Sequence, residues 1–117
     1  MSARGNLYAS LPDARATEVF ETLLAHPGCR IERIVSQGQA TPPGEWWEQT
    51  WDEWVILLAG GARLRCEGGA VMSLAPGDYL FLPAHCRHRV EWTDPARPTV
   101  WLAVHLGEAG APASDGV

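Results

Sequence analysis

Between residues 29 and 106, apolar and polar side chains alternate in short runs separated by glycine and proline. That is the period of β-strands, not of helices. Residues 30–36 alternate, with Ile31 and Val35 on one face and Glu32 and Ile34 on the other. Residues 54–59 are an apolar run closed by Gly60-Gly61, and alternation sets Trp54, Ile56 and Leu58 opposite Glu53, Val55 and Leu57. Residues 62–66 put Leu64 inward and Arg63 and Arg65 outward; Glu67-Gly68-Gly69 reads as a hairpin turn and 70–74 as the return strand. A turn at 75–78 opens the stretch 77–90, which breaks at Pro83 and runs on to Trp92. Residues 99–106 close the series, with Trp101, Ala103 and His105 on one face and Val100, Leu102 and Val104 on the other. About seven to nine short strands with frequent turns predict an all-β sandwich or barrel. No helices intervene between them, which excludes a parallel sheet.

Residues 13–26 break the pattern. Val19, Phe20, Leu23 and Leu24 fall at helical spacing, Thr17 suits an N-cap, and Pro27-Gly28 suits a stop. They predict one short amphipathic helix over 17–25, lying on the periphery. Residues 1–12 read as a lead-in, 13–106 as one domain, and 107–117 as a flexible tail of small and polar residues.

Composition narrows the function classes. A chain of 117 residues is long enough for a single core without disulfides. Hydrophobic content of 46% against 20% charged is that of a globular domain, not a disordered one. The net charge of -5 argues against a nucleic-acid partner, and the pairs Arg30/Arg33, Arg63/Arg65 and Arg87/Arg89 read as a solvated face. Cys29, Cys66 and Cys86 form no paired framework, which fits a reducing cytoplasm. No window has the length and apolarity of a membrane span, so the expectation is a cytoplasmic protein without membrane contact.

The chemistry centres on 77–90, where His85 and His88 lie three residues apart. Gly77, Pro83 and His88 keep the spacing Gly, five residues, Pro, four residues, His. Glu53 and Gly60 are separated by six residues. In these two pieces the chain resembles a small single-domain cupin. His85 stands where the cupin pattern has glycine, and Trp92 where it has asparagine. The two histidines of the first cupin pattern fall on Trp46 and Glu48, or on Trp47 and Gln49, depending on whether four or three residues precede Glu53.

The resemblance implies a jelly-roll β-barrel with the one short peripheral helix. It also implies a divalent metal, iron, manganese, nickel or zinc, held through His88 and Glu53. Glu48 would complete a two-carboxylate, one-histidine set of the kind that suits such a metal. Trp46, Gln49, His85, Trp92, Trp101 and His105 are the remaining pocket candidates, with His85 or His105 a further nitrogen donor. The alternative is a metal-free module that binds a small apolar or aromatic molecule in a tryptophan-lined pocket; the six tryptophans favour it. Neither reading names a reaction. If Glu53 points inward, Trp54, Ile56 and Leu58 form an apolar outer face, which the helix or a second subunit would cover; cupins are commonly dimers. Cys86 is expected to point away from His88.

Overall fold

The computed structural model describes residues 4–107. Eight strands run in the order β1 (Val19–His26), β2 (Cys29–Ser36), β3 (Asp52–Ala59), β4 (Ala62–Cys66), β5 (Met72–Leu74), β6 (Tyr79–Leu82), β7 (His88–Thr93) and β8 (Thr99–Leu106). They form a five-stranded sheet, β1-β2-β8-β3-β6, and a three-stranded sheet, β5-β4-β7. The named strand pairings are antiparallel. Ile34, Leu57, Leu82 and Trp101 from the larger sheet meet Ala62, Leu64, Leu74 and Val90 from the smaller one, and this interleaving is the core. The expected tail, Gly107 apart, lies outside the described residues.

The expected helix at 17–25 is not formed; that stretch is β1, paired with β2. Two local features explain the difference. The register slips between Thr22 and Leu24, so Leu23 is an extra residue in a bulge. One inserted residue shifts the strand's period by half a turn, and the apolar positions then imitate helical spacing. Pro27-Gly28 is not a helix stop but the turn of the β1–β2 hairpin, with Gly28 at φ 79°.

Gly60 shows what a short β3–β4 connection demands. Its φ is 85°, and a Cβ there would lie 2.6 Å from Thr99 Cα and 2.7 Å from Pro98 O. Only glycine lets β3 turn directly against the start of β8.

Residues before β1 pack on the outer face of the larger sheet. Arg33 is 7% exposed and donates to the carbonyls of Leu7 (3.1 Å) and Ala9 (2.8 Å), while its Nε pairs with Glu21 at 2.8 Å. Beyond this cover, the register aligns Leu24, Ile31, Val104, Trp54 and Phe81 in one row across all five strands of that face. Phe81 is 55% exposed and Leu24 48%.

Candidate functional site

The inner face of the larger sheet turns polar at one end. The register sets Arg30, His105, Glu53 and Leu82 side by side on β2, β8, β3 and β6. Glu32 joins them one inward position along β2. Glu32, Glu53 and His105 are all buried. Charged groups at such depth need partners, and a relay supplies them. Trp51 Nε1 donates to His105 Nδ1 at 2.8 Å, His105 Nε2 lies 2.8 Å from Glu32 Oε1, and Arg30 Nη1 lies 2.7 Å from Glu32 Oε2. An indole N–H only donates, so Nδ1 accepts and the proton sits on Nε2, which donates to Glu32. Both ring nitrogens of His105 are thereby committed inside the protein.

Glu53 is placed differently. Gln49 Nε2 donates to its Oε1 at 2.6 Å. Burial, reinforced by the Glu32 charge and opposed by Arg30, pushes the carboxyl up from 4.5 to about 8. Glu53 is therefore a neutral acid at pH 7. Its Oε2 and the Gln49 Oε1 are buried with no hydrogen-bond partner in the protein. One buried acid O–H and one buried amide oxygen are thus turned to the interior without protein partners.

His88 begins β7, is 1% exposed, and lies opposite Cys66 of β4. Its Nδ1 is 3.0 Å from Cys86 O. On its other side residues 39–49 run along β7: Trp47 N–H donates to His88 O at 2.8 Å, and His88 N–H to Trp47 O at 2.9 Å. This bridge selects one of the two frames for the first cupin pattern. Trp47 and Gln49 share the inner side, and Trp46 and Glu48 face out.

The other expected residues scatter accordingly. Glu48 is half exposed and sits 3.5 Å from the still more exposed His85. His85 has φ 67°, the left-handed conformation that its glycine-like position demands. Trp46 lies outside the smaller sheet with the guanidinium of Arg65 at 5.0 Å and those of Arg87 and Arg89 at 5.9 Å. Trp92 lies under Arg63 at 4.8 Å. Trp101 is core, its Nε1 donating to Ser36 Oγ at 3.3 Å. The structure thus brings Glu53, Gln49 and His105 to one end of the interior with His88 inside on the facing sheet. Glu48, His85, Trp46 and Trp92 lie outside it.

Sequence reasoning missed Arg30 and Glu32 as site residues and left Trp47 and Trp51 out of the pocket candidates. Glu32 carried a signal, since it shares a strand face with Ile34, and an acid on an apolar face is either paired or functional. Glu18 was also missed. Burial raises its carboxyl, against a hydrogen bond from Ser36. It walls a recess of about 120 Å³ together with Gln39, Thr41, Pro42, Trp47 and Val90. A second recess, of about 510 Å³, lies between residues 4–10 and Arg33. Neither wall includes Glu53 or His88.

The residues do not fit a divalent metal. Among the described residues no three histidine, cysteine, aspartate or glutamate side chains converge closely enough to hold one. His105 has no nitrogen to give, and the inward positions of the first pattern are an indole and an amide. No described helix is long and apolar enough to cross a membrane.

Comparison with known proteins fits this architecture. The family Cupin_2, a cupin domain, matches residues 31–105. No curated protein matches. Among solved structures, the chain is similar to the "putative mannose-6-phosphate isomerase" of Ralstonia eutropha JMP134, with 51% identity, TM-score 0.87, and 91% of this chain and 99% of that one covered. A cupin superfamily protein of Desulfitobacterium hafniense DCB-2 gives 22% identity, TM-score 0.72, and 92% and 94% coverage. The DMSP lyase DddQ of Ruegeria pomeroyi DSS-3 gives 21% identity, TM-score 0.71, and 95% of this chain against 58% of that one. The last two likenesses concern the fold alone. With the two-sheet barrel, the spacing of Glu53, Gly60, Gly77, Pro83 and His88, and a domain match over residues 31–105, the chain belongs to the cupin family.

Proposed function

We propose that this cupin is a metal-free binding module for a small organic molecule that enters beside Trp47 and is hydrogen-bonded by Glu53 and Gln49. The observation that carries the reading is the pair of buried, partnerless oxygens, Glu53 Oε2 and Gln49 Oε1. A buried polar atom left unpaired costs about 1–3 kcal/mol, so a ligand that satisfies both gains that much. With Glu53 protonated, the complementary ligand offers one acceptor and one donor, as a hydroxyl or an amide does. Trp47, on the same side of the segment as Gln49, offers an indole face that suits a small planar or apolar body.

The competing metal reading, with His88 and Glu53 holding iron, manganese, nickel or zinc, lacks a third converging histidine, cysteine, aspartate or glutamate among the described residues. An isomerase reading draws on the Ralstonia likeness and on an acid that titrates near neutrality. A phosphorylated sugar needs a cation at the site, and Arg30, the arginine on this face, is bound to Glu32. We also infer a homodimer through the row Leu24, Ile31, Val104, Trp54 and Phe81, because an apolar row this continuous needs cover. The free thiols support a reducing cytoplasm, and the ion-paired arginines Arg65, Arg87 and Arg89 leave nucleic acid little to bind.

The test is a screen of small hydroxylated and amide-bearing ring compounds by amide and indole NMR. Binders should shift the Gln49 side-chain amide and the Trp47 indole, and Gln49→Ala should weaken them roughly tenfold. Shifts confined to other sites, or isomerisation of mannose 6-phosphate by the protein, would overturn the reading.

A further inference from the structure

Cys66 and Cys86 serve no purpose in the binding site just described, yet the fold brings them together from opposite sides of a strand pair. Cys66 ends β4, on the inward parity of Ala62 and Leu64, and its Cα partner on β7 is His88. Glu67 N–H donates to Arg87 O at 2.8 Å, which keeps the two chains paired one step beyond. Cys86 precedes this pairing. The chain reaches it through a turn closed by Cys86 N–H on Pro83 O (3.0 Å), with His85 at φ 67°. Cys86 and His88 are two residues apart and share a strand parity, so Cys86 does not point away from His88 as expected from the sequence. It packs against the same core cluster as Cys66, and the Cys66 thiol is hydrogen-bonded to Cys86. Both are free thiols of intermediate exposure, within reach of a small oxidant.

We propose that Cys66 and Cys86 are a reversible redox pair, joined as an intramolecular disulfide when the protein meets a peroxide or a low-molecular-weight disulfide. Thiols in hydrogen-bond contact need only side-chain rotation and a slight backbone shift to reach an S–S length of about 2 Å. With hydrogen peroxide, Cys86 sulfur attacks one peroxide oxygen, the O–O bond breaks, water leaves, and Cys86 carries a sulfenic acid. Cys66 sulfur then attacks the Cys86 sulfur, the S–O bond breaks, and a second water leaves. The two thiols are oxidised by two electrons and the peroxide is reduced to two waters. With a disulfide oxidant, Cys86 forms a mixed disulfide and Cys66 displaces the second thiol, so the oxidant departs as two thiols. Cys66 is the resolving thiol because it is the one that donates its proton toward Cys86. The bond ties the 83–86 turn to β4. That turn carries the Cys86 carbonyl facing His88 Nδ1, so oxidation is felt at the inner wall.

The test uses the full-length protein and its Cys29→Ser, Cys66→Ser and Cys86→Ser variants, each treated with peroxide and, separately, with oxidised glutathione. Thiols are counted after denaturation, intact mass is measured, and non-reducing electrophoresis is run. The expected result is loss of two thiols and two hydrogens in the wild type and in Cys29→Ser, without cross-linked dimer, reversed by a dithiol reductant. Cys66→Ser and Cys86→Ser should form no intramolecular disulfide, and the Cys86 thiol left in Cys66→Ser should retain a sulfenic acid or a glutathione adduct. The His88 ring resonances should shift on oxidation of Cys29→Ser. Persistence of all three thiols, dependence of the bond on Cys29, or oxidation to sulfinic acid without a disulfide would each overturn the proposal.

Discussion

Glu53→Gln is the most informative single change. The amide is close to isosteric, keeps an oxygen to accept from Gln49 Nε2, and cannot ionise. In the wild type the Glu53 carboxyl lies at about 8 in the folded chain against 4.5 when unfolded, chiefly through burial. The sign follows directly. Below pH 4.5 both states hold the proton, and Glu53 costs nothing. From there to about pH 8 only the folded chain holds it, so each pH unit removes about 1.4 kcal/mol of stability. Above about pH 8 both states are ionised and the loss is complete. Across the window it reaches roughly 5 kcal/mol, a large part of a typical domain's 5–15 kcal/mol. The assay is urea unfolding of both proteins at closely spaced pH values across that window. The difference between them cancels every other titrating group. Wild type should lose ground to Glu53→Gln steadily as pH rises, then level off. A difference that changes by less than about 1.5 kcal/mol over the window would mean that Glu53 is not held neutral, and the proposed donor would be gone.

Four further outcomes follow from named contacts. Glu32→Gln removes a like charge beside Glu53, so the Glu53 midpoint in a carboxyl NMR titration should fall, yet stay above 4.5 because burial is the larger cause; an unmoved midpoint would contradict this. Gly60→Ala should cost about 3 kcal/mol or more in urea unfolding, since its Cβ would sit 2.6 Å from Thr99 Cα at a φ of 85°, whereas His85→Gly should gain about 0.5–1 kcal/mol by relieving the left-handed φ of 67°. Phe81→Asp puts a charge on the exposed β6 end of the outer apolar row and should raise the dimer dissociation constant at least about tenfold in sedimentation; a wild type that is monomeric at all concentrations would remove that interface.

Much of the barrel was legible because its sharpest constraints are local. Gly60 and the glycine-like position of His85 are set by backbone torsion, Pro83 by its ring, and Glu53 and His88 by strand parity, all within one or two turns of sequence. β1 was misread because a single bulged residue, Leu23, makes a strand imitate helical spacing, and no pattern of one chain segment reveals its partner. The site was half legible for a related reason. Whether three or four residues separate the first pattern from Glu53 decides between Trp47 with Gln49 and Trp46 with Glu48. That choice is made by the Trp47–His88 bridge, a contact across many residues of sequence. The Trp51–His105–Glu32–Arg30 relay draws on two strands and a loop far apart in the chain, so only the register brings it into view.

The central claim is that the interior of this cupin works through Glu53 and Gln49 without a metal. Metal analysis of protein purified without a histidine tag, from cells supplemented with iron, manganese, nickel and zinc, tests it most directly. The account predicts metal well below one equivalent per chain, unchanged in His88→Ala. One tightly held equivalent, lost in His88→Ala and in Glu53→Gln, would contradict it.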